Sequence, residues 1–139
     1  MKINSRFLAI ALPVSVAAFF LTRVIWPDVP GMPMPDASLI PHFIFVLAVE
    51  CLGFGIGVAF AILAWSRVNQ TEGALPLATF FSIVWLLVSW WPHDNLHRIT
   101  GMEFSGLIKI EYGFHVTLVI AGCIVAQYFL RQLSKPAAQ

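Results

Sequence analysis

Four histidines (His42, His93, His97 and His115) and four of the seven carboxylates (Glu50, Asp94, Glu103 and Glu111) are the groups in this 139-residue chain best suited to binding a metal ion or moving a proton. His93 and His97 are four residues apart, as are Glu111 and His115, and such pairs stack on one face wherever a helix runs through them. Two ligands on one helical face are the arrangement of helical zinc sites. Imidazole suits zinc, copper, iron and nickel, and carboxylate favours the harder of these ions. Neither spacing is specific alone; their concentration in one part of the chain is the stronger signal.

The elements that must hold these groups are legible from composition. Of the residues 59% are hydrophobic and 11% charged, against about 45–50% and about 25% in a soluble domain. A soluble monomer of this size would leave much of that apolar surface in water. Disorder is excluded by the hydrophobicity. A net charge of +1 gives no electrostatic footprint for nucleic acid, and two cysteines make no disulfide scaffold. An integral membrane protein remains, forming one domain over 1–139.

Four apolar stretches have the length of a span: about Phe7 to Trp26, Pro41 to Trp65, Ala74 to Trp91 and Gly106 to Leu130. The first has the basic start of a signal peptide, but no small-x-small cleavage site follows it, so it reads as a span. Lys2, Arg6, Arg67, Arg131 and Lys135 share one side of a four-span arrangement, which the positive-inside rule makes cytoplasmic. The expected fold is therefore all-α, a four-helix antiparallel bundle with both termini cytoplasmic, in a membrane of the bacterial inner type. The loops Pro27–Pro41 and Pro92–Ser105 then face the other compartment. Trp26, Trp65, Trp90 and Trp91 fall at span ends, where an interfacial aromatic belt is expected. Gly53 and Gly57 make a G-x-x-x-G with Gly55 between them, suited to close helix approach. Pro13 and Pro76 are expected near helix starts, where a missing N–H costs little.

All four histidines then lie on or near the non-cytoplasmic side. Glu50 and His115 each lie about 13 Å into their spans and can meet if those spans are neighbours. A lone carboxylate in hydrocarbon is costly, so Glu50 requires a partner, a proton or a metal. Pro92 suits the first turn of a new short helix carrying His93 and His97.

The sequence therefore predicts a transition-metal site, copper or zinc first. Its ligands are drawn from His93, Asp94, His97, Glu111 and His115, with His42 and Glu50 close behind, and Arg98 and Lys109 balance the carboxylates. Met32, Met34 and Met102 lend copper modest support, since thioethers favour Cu(I). The site would serve redox chemistry, metal handling or a larger membrane metalloenzyme. Two other readings stay open. One is a b-type cytochrome with two histidines on one haem. The other is a metal-free small-molecule pocket or isomerase using Glu and His as acid and base. A plainer rival needs no metal: a Glu50–His115 hydrogen bond that merely ties two helices. Expected partners are the bilayer and either further membrane subunits or a second copy. No catalytic residue is assigned, and Cys51 and Cys123 read as packing residues.

Overall fold

The computed structural model describes residues 5–31, 34–100 and 104–134. Five helices follow one another: α1 (Ser5–Ile25), α2 (Ile40–Val68), α3 (Ala74–Val88), α4 (Trp90–Thr100) and α5 (Phe104–Leu133), with no strand among the described residues. α1, α2 and residues Ser105–Leu133 of α5 are each long and apolar enough to cross a membrane; α3 and α4, bent by 48° to one another, are so only as a pair, a broken span or a re-entrant loop, which makes three or four.

That bend is where the structure departs most from the expected spans. The third span was expected to run to Trp91 and the loop to begin at Pro92. Instead α3 stops at Val88, and most of the expected loop is the helix α4. Pro92 is the cause. It has no N–H for the carbonyl of Val88, four residues back, and its ring crowds that oxygen. The chain turns at Ser89, whose carbonyl accepts from the His93 N–H at 3.0 Å. The Trp90 indole N–H donates to the Leu86 carbonyl at 3.1 Å, satisfying one of the acceptors that the end of α3 leaves without an intrahelical donor. Pro41 and Pro76 lie in the first turns of α2 and α3, as expected, whereas Pro13 sits well inside α1.

α2 packs against α1, α3 and α4, and α5 packs against α3 and α4. Glycine explains the central place of α2. A Cβ on Gly55 would overlap the backbone of α1 at Ala11 and Ser15, while one on Gly53 or Gly57 would press on Leu87 and Val88 of α3. The G-x-G-x-G run thus presents one glycine to one neighbour and two to the other.

Trp91 is not an interfacial residue. It is 6% exposed and sits in the core with Ala18 and Cys51. Its indole N–H donates to Thr22 Oγ at 3.0 Å, and its ring meets Trp26 edge-on and Phe54 at a tilt, both with centroids 4.6 Å away. Trp65 and Trp90 do keep the exposed character expected of a belt. Trp91 pins α4 to α1 and α2, and Trp91→Ala is expected to cost about 3–5 kcal/mol, read as a fall in melting temperature in detergent. Trp91→Phe keeps the ring packing and should lose about 1 kcal/mol with the hydrogen bond to Thr22. Equal melting of Trp91→Ala and wild type would refute this anchoring.

Candidate metal centre

α4 carries His93 and His97 one turn apart, and α5 carries Glu111 and His115 one turn apart, on faces that meet where the bend lays α4 against α5. His93 Nε2 and His97 Nε2 are 2.9 Å apart. His97 Nε2 is also 2.9 Å from Glu111 Oε1, and His115 Nδ1 is 2.7 Å from Glu111 Oε2. One ligand atom from each of His93, Glu111 and His115 can be chosen so that all lie within 4.8 Å of one another. Glu111 therefore stands between imidazoles from two helices. Among the described residues no lysine or arginine pairs with it.

Ring orientation is fixed by packing. His93 stacks on Phe114 with centroids 3.6 Å apart and planes at 11°. Phe114 in turn meets Trp90 edge-on at 4.9 Å. The His93 side chain is 9% exposed and His115 59%, so the cluster is closed on the α4 side and open past His115. His93 Nδ1 is buried without a hydrogen-bond partner; Asp94 Oδ1 lies 3.6 Å away.

The pattern of nitrogens is chemically informative. A neutral imidazole has one N–H and one lone pair. His97 Nε2 can carry at most one proton, and it faces both His93 Nε2 and Glu111 Oε1. Donors about 2.0–2.1 Å from one tetrahedral ion sit roughly 3.3 Å from one another; the observed separations of 2.7–2.9 Å are hydrogen-bond distances, so the side chains would part by a few tenths of an ångström around an ion.

The remaining expected residues lie elsewhere. Glu50 does not meet His115, because α3 and α4 lie between α2 and α5. Its carboxyl lies near that of Asp94 instead. Asp94 thus faces Glu50 while its Oδ1 adjoins His93. His42 is exposed in the first turn of α2 and is not part of the group. Arg98 does not balance the cluster. Its guanidinium donates to the Trp26 carbonyl at 3.2 Å and to Asp28 at 2.8 Å, and Asp28 also pairs with Arg23. These bonds latch the end of α1 to α4. Lys109 is exposed. Met34 is exposed, and Met32, Met102 and Glu103 lie outside the described residues.

Sequence reasoning missed Phe114, which orients His93. The available signal was its place beside His115 and three residues after Glu111, on the flank of the same helical face. No protein family matches the chain, and neither a curated protein nor a solved structure is similar to it.

Proposed function

We propose that the chain is a four-span antiparallel membrane protein with both termini cytoplasmic. Its His93, His97, Glu111 and His115 hold one transition-metal ion near the opposite face. The observation that carries this reading is that ligand atoms of His93, Glu111 and His115 lie within 4.8 Å of one another, with His97 also 2.9 Å from Glu111 and no lysine or arginine pairing with Glu111 among the described residues. Asp94 then changes role. Metal-bound histidines commonly give their second ring nitrogen to a carboxylate, and Asp94 is the carboxylate beside the orphaned His93 Nδ1. Nitrogen-rich donors with one carboxylate suit zinc and copper(II). The open side past His115 lets an ion exchange or a small ligand reach the metal. That suits metal handling or redox chemistry, alone or as a subunit of a larger metalloenzyme.

Geometry disfavours haem. The haem reading pairs His42 or His93 with His115; His42 is not part of the group, and Glu111, with one oxygen 2.7 Å from His115 Nδ1, puts a carboxylate beside any haem held between His93 and His115.

Chelator-stripped protein in detergent, reloaded with zinc or copper(II) and freed of excess ion, should retain one ion per chain by elemental analysis. Retention of none would end the metal reading and leave the acid–base pocket, since His97 and His115 each already hydrogen-bond to Glu111. Topology has its own check. Cysteines placed at Asp36 and Glu72, in successive inter-helix segments, should react with a membrane-impermeant maleimide from opposite sides. Reaction from one side alone would overturn the proposed arrangement.

A further inference from the structure

α5 is the spanning helix that the rest of the chain covers least. It packs mainly on α3 and α4, and a smaller share of its span is buried than in α1 or α2. Along its bare side Ile108, Tyr112, His115 and Val119 follow one another at steps of four and three, and the same rhythm resumes at Phe129 and Leu133; all of these are exposed. Gly122 and Ala126 fill the steps between, and the space around Gly122 is open. A repeat averaging about 3.5 residues is the seam of a left-handed helix pair, and small residues within it let two helices approach closely in lipid. We propose that α5 packs along this seam against α5 of a second copy of the chain, about a two-fold axis along the membrane normal, and that Lys109 of the second copy pairs with Glu111 in the histidine cluster.

Three observations point to a second copy. First, α5 has a hollow lined by Ile108, Glu111, Tyr112, His115 and Val116, all on this one helix. Residues i, i+3, i+4 and i+7 of a helix form the hole that receives one side chain from a facing helix, and 108, 111, 112 and 115 have that spacing. In a parallel two-fold pair both helices stand at the same height, so the side chain that enters this hole is Tyr112 of the second copy. Tyr112 is 70% exposed and projects from the same face as the hole.

Second, the charges match. Among the described residues Glu111 pairs with no lysine or arginine, and the exposed Lys109 pairs with no carboxylate. In the heptad of the seam Glu111 and Lys109 occupy the two flanking rows, g and e. A two-fold axis sets the e row of one helix beside the g row of the other, where Glu and Lys form ion pairs between helices. Both pairs form together, because a two-fold interface is self-complementary.

Third, the depth demands a polar partner. His115 is the twelfth residue of α5, about 17 Å along it, and its side chain is exposed. Acyl chains offer an imidazole and a carboxylate nothing, whereas the second copy brings a phenol and an ammonium group. The side open past His115 then faces the seam, and ions reach it from the nearby helix end. Neither contact needs a bound metal, so this inference and the metal reading stand or fall separately.

The test uses chelator-treated full-length protein. Copies carrying Cys123→Ser are labelled at Glu72→Cys with donor or acceptor dye and diluted in phosphatidylcholine vesicles, where energy transfer reads the dimer affinity. Lys109→Glu and Glu111→Lys should each weaken self-association about tenfold or more, since each sets like charges against one another on both flanks. Donor-labelled Lys109→Glu mixed with acceptor-labelled Glu111→Lys should restore transfer, because opposite charges then meet on both flanks. Gly122→Trp, which the open space beside α5 admits, should abolish transfer and carries the test if the charge variants do not fold. On the Cys123→Ser background, Val119→Cys should cross-link to itself through a short dimaleimide, and Ile120→Cys, also exposed but off the seam, should not. Wild-type transfer no greater than chance proximity would mean that lipid or a different subunit covers this face. Single charge variants that associate like the wild type, mixed variants that stay apart, or equal cross-linking at Ile120 would equally overturn the proposal.

Discussion

Zinc affinity should fall on the order of 100-fold or more when His93 becomes Ala, the largest loss expected of any single substitution at the cluster. His93 is the most deeply held of the four donors, and the Phe114 ring fixes its plane. Its removal takes away a nitrogen that no mobile side chain can replace. His97→Ala should cost nearly as much, since His97 Nε2 touches both His93 and Glu111. His115→Ala should cost less. That side chain is 59% exposed, and Glu111 keeps its contact with His97. Asp94→Asn tests the orienting carboxylate and should weaken binding about tenfold. Cys123→Ala should change nothing, because Cys123 is an exposed free thiol on α5. Competition against a chromophoric zinc chelator gives the affinities. Cobalt absorption reports the donor set directly. Equal affinity of His93→Ala and wild type would remove His93, and with it the α4 half of the site.

That His93, His97, Glu111 and His115 come together was legible in part, because each pair obeys a helical period. His93 with His97, and Glu111 with His115, needed only the assumption of local helix, and Pro92 signalled where a new helix starts. The Glu50–His115 pairing was not legible. It rested on equal depth, and depth fixes height but not which helices are neighbours. The bend at Ser89 decides that, by carrying α4 into contact with both α2 and α5. The same bend moves Trp91 from the expected belt into the core beside Thr22. Arg98 was drawn to the cluster by charge counting, yet Asp28, some seventy residues earlier, holds it. Long-range pairing of that kind leaves no period in the sequence.

Gly55→Leu should be the most destabilising of the glycine changes and should prevent recovery of a folded protein from the membrane. The apparent packing motif names Gly53 and Gly57, but the tightest approach is at Gly55. A Cβ there would overlap the Ala11 carbonyl, the Ser15 amide and the Ser15 hydroxyl, itself bonded to the Ala11 carbonyl at 2.8 Å. Backbone atoms of α1 cannot rotate aside as a side chain can. Overpacking a core ordinarily costs about 1–3 kcal/mol and more where the backbone must move. Here relief requires α1 to withdraw from α2, which is its principal packing partner. α4 would be loosened with it, because Trp91 and Arg98 both reach back to the end of α1. At Gly57 the obstacles are mostly the Val88 and Leu87 side chains, and at Gly53 a Cβ would lie 3.2 Å from the Leu87 carbonyl oxygen. Gly57→Ala and Gly53→Ala should therefore cost progressively less. Gly113 and Gly122 on α5 have open space around them, and Ala there should be neutral or stabilising by up to about 1 kcal/mol through helix propensity. Thermal melting in detergent, with the fraction of monodisperse protein after extraction, ranks the series. A Gly55→Leu protein that melts with the wild type would mean that α1 does not lie against this glycine, and that the latch from α1 to the histidine-bearing helix is held some other way.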